Sequence, residues 1–406
     1  MSATIVSASV TITELVKQHL IDPEICIRCG TCEATCTQGA VSHDDVNYVV
    51  AADKCNYCMD CIAPCPTGSI DNWRLVTAPY ALAEQLGWAE LPVQENFGEA
   101  SAAIVEAVES EVGSLLETAH AGNGGKPTAP ASAAKPSVNL FSRARPVIAT
   151  VQGNYRITAP ATSSDVRHIV LSFADTLFPV LEGQSIGIIP PGTRPDGRPH
   201  DIRLYSVASA RDGEKRNANN LSLTVKRQDG GVASNYLCDL KVGDRVAVTG
   251  PFGATFLMPD DPSSNILMVC TGTGSAPFRA FTERRRRAAP GAPGRMMMFF
   301  GARTPEELPY FGPLQKVPET LLEKHLVFSR LAGQSKEYVQ DRMRGKSERI
   351  AALLTSAQTH VYICGLKGME HGVDAAFTEI CRTHGLDWKE LKPPMRAAGR
   401  YHVETY

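Results

Sequence analysis

From residue 145 onward, apolar runs alternate with polar turns in two rhythms. Across 147–258 the runs are short and end in Gly, Pro or Asp: "RHIVLSF", "QSIGIIP", "LSLTVKR" and "DRVAVTGP". Strand-length runs punctuated by such turns predict an antiparallel β-barrel. Across 264–406 the apolar runs are nearly continuous, and helical stretches follow them: "NILMVCTGTG", "RMMMFFGA", "HLVFSR", "THVYICG". That alternation predicts a doubly wound parallel sheet. Upstream, Ile104, Val108, Val112, Leu115 and Leu116 recur at three- and four-residue steps, the period of a helix. The stretch 121–139, "AGNGGKPTAPASAAKPSVN", has the small, Pro/Gly-rich composition of a flexible tether. The expected division is therefore a cysteine-dense region 18–76, a helical segment and linker 77–144, a barrel domain 145–261 and an α/β domain 262–406. The fold class is multidomain, α+β and α/β.

Composition narrows the class. A chain of 406 residues fits two or three domains, and 43% hydrophobic content is ample for their cores. A formal charge of -2 gives no reason to expect nucleic acid or an anionic membrane as a partner. The run "RRRR" at 284–287 reads as a solvated helix face, with a docking patch as the alternative. No apolar run reaches membrane-spanning length. The first twenty residues lack both the basic start of a secretory signal and the arginines of a transit peptide. A cytoplasmic protein is expected, and a reducing compartment argues against disulfides among its 12 cysteines.

Eight of those cysteines form C-x2-C-x2-C-x3-C twice: Cys26, Cys29, Cys32, Cys36, then Cys55, Cys58, Cys61, Cys65. Three cysteines two residues apart let one loop wrap three corners of an iron–sulfur cubane, and the fourth crosses to the other cluster. Cys26, Cys29, Cys32 and Cys65 are thus expected to hold one [4Fe–4S] cluster, and Cys55, Cys58, Cys61 and Cys36 the second. Zinc is the alternative, but zinc sites pair two CxxC knuckles, without a third evenly spaced cysteine in each. The region resembles the bacterial two-cluster ferredoxins. It departs from their Cys-Pro ending at Cys36-Thr37, while Cys65-Pro66 keeps it.

"RLYSVAS" at 203–209 offers a cation, an aromatic and a hydroxyl on one strand, with Arg203 and Tyr205 sharing a face. A strand tyrosine is otherwise ordinary barrel packing. "GGVASNY" follows at 230–236, where Gly231 to Ser234 can present N–H groups to a phosphate at a helix start. Residues ~145–406 resemble the plant-type ferredoxin–NADP⁺ reductase family, which implies an FAD barrel followed by an NADP(H) domain. By that resemblance Arg203, Leu204, Tyr205 and Ser206 line the flavin. Thr224, Val225 and Lys226 follow on the next strand, and Val232, Ala233 and Ser234 take the pyrophosphate. Family members carry an adenine-stacking tyrosine after the Lys-Arg pair; "KRQDGGVAS" has none before Gly231.

In "CTGTGSAPFRAF", Gly272, Thr273 and Gly274 allow a pyrophosphate to approach a helix N-terminus. "SRLAGQSKEYVQ" supplies Ser329, Arg330, Lys336, Tyr338 and Gln340, which in the resembling family grip the 2′-phosphate and adenine of NADP. A phosphate suits an arginine, a hydroxyl and a second cation, so NADPH is expected over NADH; a surface basic loop is the alternative. "YICGL" gives Cys364, Gly365 and Leu366, with Cys364 against the nicotinamide by resemblance and strand-end packing otherwise. The closing "VETY" matches the family's V-E-x-Y. Ser206, Cys364, Glu404 and Tyr406 are then the catalytic set, holding nicotinamide C4 against flavin N5.

The order of parts adds a reading. NADPH gives two electrons as a hydride, clusters take one at a time, and a flavin can do both. A tether keeps the carrier at roughly millimolar local concentration. This order resembles the reductase components that feed a separate di-iron oxygenase which epoxidises benzoyl-CoA in aerobic benzoate degradation, and it implies a homodimer. Two alternatives stand: a general NADPH–ferredoxin oxidoreductase serving another oxygenase or acceptor, and a redox-sensing protein with structural clusters.

Overall fold

The computed structural model describes residues 16–93 and 128–405, except positions 57, 59, 63, 66, 71, 77, 196, 198 and 199. The chain forms two compact units, divided within the stretch 94–127. The helix expected through Ile104 to Leu116, the first part of the tether and Tyr406 lie outside the described residues.

The N-terminal unit comprises β1 (Val16–Leu20), α1 (Thr31–Thr35), β2 (Val41–His43), β3 (Tyr48–Val50), β4 (Asn72–Val76) and α2 (Leu82–Leu86). β1 pairs antiparallel with β4, and β2 with β3. Its interior joins Ile21, Val41, Val50 and Ile70 with Cys26, Cys32, Cys61 and Cys65. So small a unit buries little apolar surface, and a bound metal group is the usual supplement. Residues just beyond β4 belong to this unit. The buried Gln85 of α2 donates to the Val50 carbonyl at 3.0 Å and accepts from the Val50 N–H at 3.1 Å.

The C-terminal unit opens with β5 (Val147–Arg156), β6 (Val166–Ser172), β7 (Ser185–Ile188), β8 (Arg203–Ser206), β9 (Asn220–Lys226), α3 (Val232–Asp239) and β10 (Arg245–Phe252). The strands lie antiparallel in the order β8-β7-β10-β5-β6-β9. The sheet closes where Val207, just past β8, bridges Leu223 of β9. β5 alternates buried and exposed positions over Val147–Val151, the mark of a strand with one face inside. Val151, Ile169, Leu171, Ile186, Leu223 and Val248 fill the barrel.

Next come β11 (Asn265–Thr271), α4 (Ala276–Ala288), β12 (Met296–Ala302), α5 (Phe311–Lys316), β13 (Glu323–Phe328), α6 (Val339–Arg344), α7 (Ser347–Thr355), β14 (Thr359–Gly365), α8 (Lys367–Thr383), α9 (Trp388–Ala397) and β15 (Tyr401–Thr405). The five strands are parallel, in the order β13-β12-β11-β14-β15. Leu267, Val269, Phe299 and Ile363 pack one side, and Ile266, Met268, Phe300 and Tyr362 the other. Burial on both faces explains the nearly unbroken apolar runs.

The expected tether is corrected in its second half. Residues 128–139 lie along this unit: Asn139 N–H donates to Pro251 at 2.8 Å, Gln184 donates to the Ser137 carbonyl at 2.9 Å, and Asp260 N–H donates to Ser132 at 3.2 Å. The "RRRR" run is corrected as well. Arg285 is buried and donates to the Gly294 and Ser264 carbonyls at 2.9 and 3.0 Å, while Arg287 reaches Asp212 and the Gly213 and Glu214 carbonyls. These arginines clamp loops instead of facing water or a partner.

Candidate functional site

In the N-terminal unit, Gly30 at φ 74 makes the turn into α1, a conformation that favours glycine. The electrostatic neighbours of the thiols show how the cysteines group. Burial raises the Cys32 thiol most, and Cys26, Cys65 and Cys29 add to the rise. Burial raises Cys29 too, with Cys65 again among the causes. Cys61 is pushed up to about 11, by burial first and then also by Cys36, Cys55 and Cys58. The fourth cysteine of each motif therefore stands with the other motif's first three. Thiols raised as Cys29, Cys32 and Cys61 are need a strongly positive centre to become thiolates, and an iron–sulfur core supplies one.

In the barrel, β8 presents Arg203 and Leu204 exposed and Tyr205 half-buried against the barrel core. Burial pushes the Tyr205 phenol up to about 12, so it stays a neutral, flat surface. Leu204 and Val232 are 59% and 50% exposed, open apolar side chains suited to covering by a ring system. Gly231 precedes α3, whose first turn carries Val232, Ala233 and Ser234 and N–H groups lacking intrahelical partners. At three of the expected positions the side chain is engaged within the protein itself. Val225 is wholly inside the barrel, so only its backbone could meet a cofactor. Thr224 is buried, its hydroxyl 2.7 Å from that of Tyr310. The Ser234 hydroxyl accepts from the Gln228 N–H at 3.2 Å.

A cleft of about 570 Å³ lies at the carboxyl ends of the parallel strands, where α/β sheets bind ligands. Among its lining residues are Lys226, Gly272, Thr273, Ser329, Tyr338, Gln340 and Leu366. Gly272 has φ +54, a left-handed backbone that favours glycine, and a Cβ on Gly274 would sit 2.2 Å from the Cys364 carbonyl oxygen, so Gly274 is sterically required. The Thr271 hydroxyl is buried without a partner among the described residues, a polar group awaiting a ligand. Arg330 and Lys336 are exposed at the loop beside the cleft and do not line it. Sequence reading missed Arg303, Glu307 and Glu337 on the cleft wall; Arg303 pairs with Glu307 at 2.5 Å, and Glu337 with Arg342.

Register sets a row at the ends of three strands: Cys270 of β11 opposite Cys364 of β14, and Cys364 opposite Glu404 of β15. Burial raises both thiols well above their ordinary range, so Cys364 is no nucleophile. Burial also pushes the Glu404 carboxyl up to about 8. Ser206 ends β8 opposite Ser185, with no hydrogen bond to Cys364 or Glu404 among the described residues. Gly365 closes β14, and Leu366 is 61% exposed.

The sequence also hid a polar joint between barrel and α/β domain. Arg279 of α4 grips Glu214 with two bonds of 2.7 Å, and Ser222 donates to the same carboxylate at 2.7 Å. His168 Nδ1 lies 2.8 Å from the Tyr310 hydroxyl, and the Arg279 guanidinium lies 5.2 Å from the Tyr310 ring centre. Burial works to raise the Glu214 carboxyl; Arg279 and then His168 outweigh it and hold the carboxyl far below its ordinary range.

A closed barrel followed by a parallel sheet with a glycine-lined cleft defines a flavin- and pyridine-nucleotide-binding oxidoreductase. Residues 162–256 match the oxidoreductase FAD-binding domain, 268–375 the oxidoreductase NAD-binding domain, and 18–67 a 4Fe-4S dicluster domain. The cyanelle ferredoxin–NADP reductase of Cyanophora paradoxa is 39% identical over 287 residues, 66% of this chain and 79% of that one. Leaf isozyme 1 of Arabidopsis thaliana is 37% identical over 287 residues, 66% of this chain and 79% of its own length. The solved ferredoxin–NADP⁺ reductase of Plasmodium falciparum superposes with a TM-score of 0.53 at 25% identity, covering 66% of this chain and 99% of that one. The chain belongs to the ferredoxin–NADP reductase family and carries a dicluster domain ahead of the reductase. Its chemistry is NADPH-dependent electron transfer of that type, with FAD, NADP(H) and a cysteine set that fits two [4Fe–4S] clusters. Among the described residues no helix is long and apolar enough to cross a membrane.

Proposed function

We propose that this chain is the reductase component that draws electrons from NADPH and delivers them, through its own two clusters, to a separate di-iron oxygenase that epoxidises benzoyl-CoA. The observation that carries the reading is the presence on one chain of a dicluster domain and a reductase, which makes a free ferredoxin unnecessary. The cytoplasm as compartment and a homodimer as assembly belong to the same proposal.

Within it, Cys26, Cys29, Cys32 and Cys65 hold one cluster, and Cys36, Cys55, Cys58 and Cys61 the other. Bound FAD supplies the exchange between two-electron and one-electron chemistry. Tyr205 and Leu204 offer flat and apolar surface to its ring, and Arg203 offers charge to its phosphates. The start of α3, from Gly231 to Ser234, offers N–H groups. Gly272 to Gly274 let the nucleotide pyrophosphate approach, while Ser329, Arg330, Lys336, Tyr338 and Gln340 select the 2′-phosphate. Ser206, Cys364, Gly365, Glu404 and Tyr406 position the nicotinamide for hydride transfer, which needs no general base.

The test is anaerobic. The protein is reduced with NADPH, candidate acceptors are added, and reoxidation is followed at the cluster absorbance. Rapid reoxidation by the di-iron oxygenase, with benzoyl-CoA consumed once oxygen is admitted, is the expected result. Clusters that reduce but stay reduced with that partner would assign the chain to another acceptor, as a general NADPH–ferredoxin oxidoreductase.

A further inference from the structure

The two halves of the cysteine region are a duplication offset by 29 positions, yet their sulfur environments differ. The Thr31 hydroxyl donates to Cys29 Sγ at 3.2 Å. The Ser69 hydroxyl lies 3.4 Å from Cys65 Sγ, and that of Thr67 lies 3.9 Å from the same sulfur. Thr67 and Ser69 are 1% and 4% exposed, so water does not compete for them. Thr67 Oγ1 accepts from the Ser69 N–H at 3.3 Å, which uses a lone pair and leaves its proton for the sulfur. A cluster-bound thiolate can only accept, so each hydroxyl then donates.

At the matching positions around the second cluster stand Asp60, for Thr31, and Gln38 and Ala40, for Thr67 and Ser69, none of them a hydroxyl. Gln38 is exposed and turned to Thr37, and Ala40 offers Cys36 Sγ only its backbone N–H, at 3.3 Å. The backbone N–H groups of Gln38, Gly39 and Val41 also face Cys36, and the His19 ring lies 4.0 Å from Cys55 Sγ, so among the described residues these sulfurs meet backbone groups and an imidazole, with no side-chain hydroxyl. Hydrogen bonds to ligand sulfur stabilise the charge added on reduction and raise the potential.

We propose that Thr31, Thr67 and Ser69 are positioning residues that raise the reduction potential of the cluster held by Cys26, Cys29, Cys32 and Cys65, and leave the other cluster alone. This rests on the cysteine grouping proposed above.

The test uses the full-length, cluster-loaded protein and EPR-monitored reduction potentials. Ser69→Ala with Thr67→Val should make one cluster at least tenfold harder to reduce, about 59 mV for one electron, with the second unmoved. Ser69→Thr, which keeps the hydroxyl, should hold the wild-type value. If the double variant loses iron, Thr31→Val tests the same idea on Cys29. An unchanged potential, or an equal shift in both clusters, would overturn the proposal. Failure of the underlying grouping has a different signature: Cys36→Ser would then abolish the cluster of Cys26 and spare that of Cys55, sinking both readings.

Discussion

Arg330 and Lys336 hold their charges in the open, with no carboxylate paired to either among the described residues. Glu337 and Arg342 beside them are already spent on each other at 2.5 Å. On the proposed assignment, a 2′-phosphate brought to this loop would meet two uncommitted cations. Arg330→Ala should weaken NADPH by roughly 10–150-fold, the loss of a charged hydrogen bond of about 1.5–3 kcal/mol, and leave NADH nearly unchanged. Equal losses for the two cofactors, measured as kcat/KM, would contradict the assignment. Glu404 makes a second prediction. Its folded carboxyl keeps a proton to about pH 8, while its ordinary value is 4.5. Between those values the folded state binds more protons than the unfolded one, so stability falls as pH rises through the window. Thermal midpoints of the wild type should drop between about pH 5 and 8 more steeply than those of Glu404→Gln; parallel curves would show that burial does not hold this proton. At this scale sequence was a partial guide. The motif named Thr224, Val225 and Ser234, but motif membership does not say which way a side chain points, and all three are occupied by the protein itself.

At the scale of elements, period and punctuation were legible. The two-residue alternation of β5 and the double burial of β11, β12 and β14 follow directly from which positions are apolar. The joint between barrel and α/β domain was not legible, because its partners lie far apart in the chain: Arg279 is 65 residues from Glu214, and Tyr310 is 142 from His168. Each looked like an ordinary polar residue until the fold brought them together. The "RRRR" run misled for the same reason, since loop carbonyls that accept from it are invisible in a charge pattern. The joint fixes barrel against sheet, and so the walls of the nucleotide cleft. Arg279→Met leaves Glu214 buried without its main counter-charge and should cost about 3–5 kcal/mol, read from urea unfolding by circular dichroism. Replacing Glu214 by Met as well should recover most of that loss. If the double variant is no more stable than the single one, the carboxylate is not what the arginine serves.

For the molecule as a whole, the question is what one chain gains by carrying both units. Residues up to 93 are anchored to the cluster unit through Gln85 and Asn47, and those from 128 are anchored to the reductase unit through Ser132, Ser137 and Asn139. Covalent connection thus acts through 94–127. If this stretch works as a tether, its contribution is concentration: linked partners meet at roughly millimolar effective concentration without any new contact. A specific protease site placed where the two units divide, between Glu109 and Ser110, tests this. After cleavage, iron and flavin content should be unchanged, and so should NADPH oxidation by a small artificial acceptor. Reduction of the clusters by NADPH should become second order, slow at micromolar protein and rising in proportion to it. An undiminished rate after cleavage, with the two pieces co-eluting on gel filtration, would mean that the units hold each other by their surfaces. The sequence 94–127 would then be dispensable for electron transfer, and an interface would take over the role assigned to the tether.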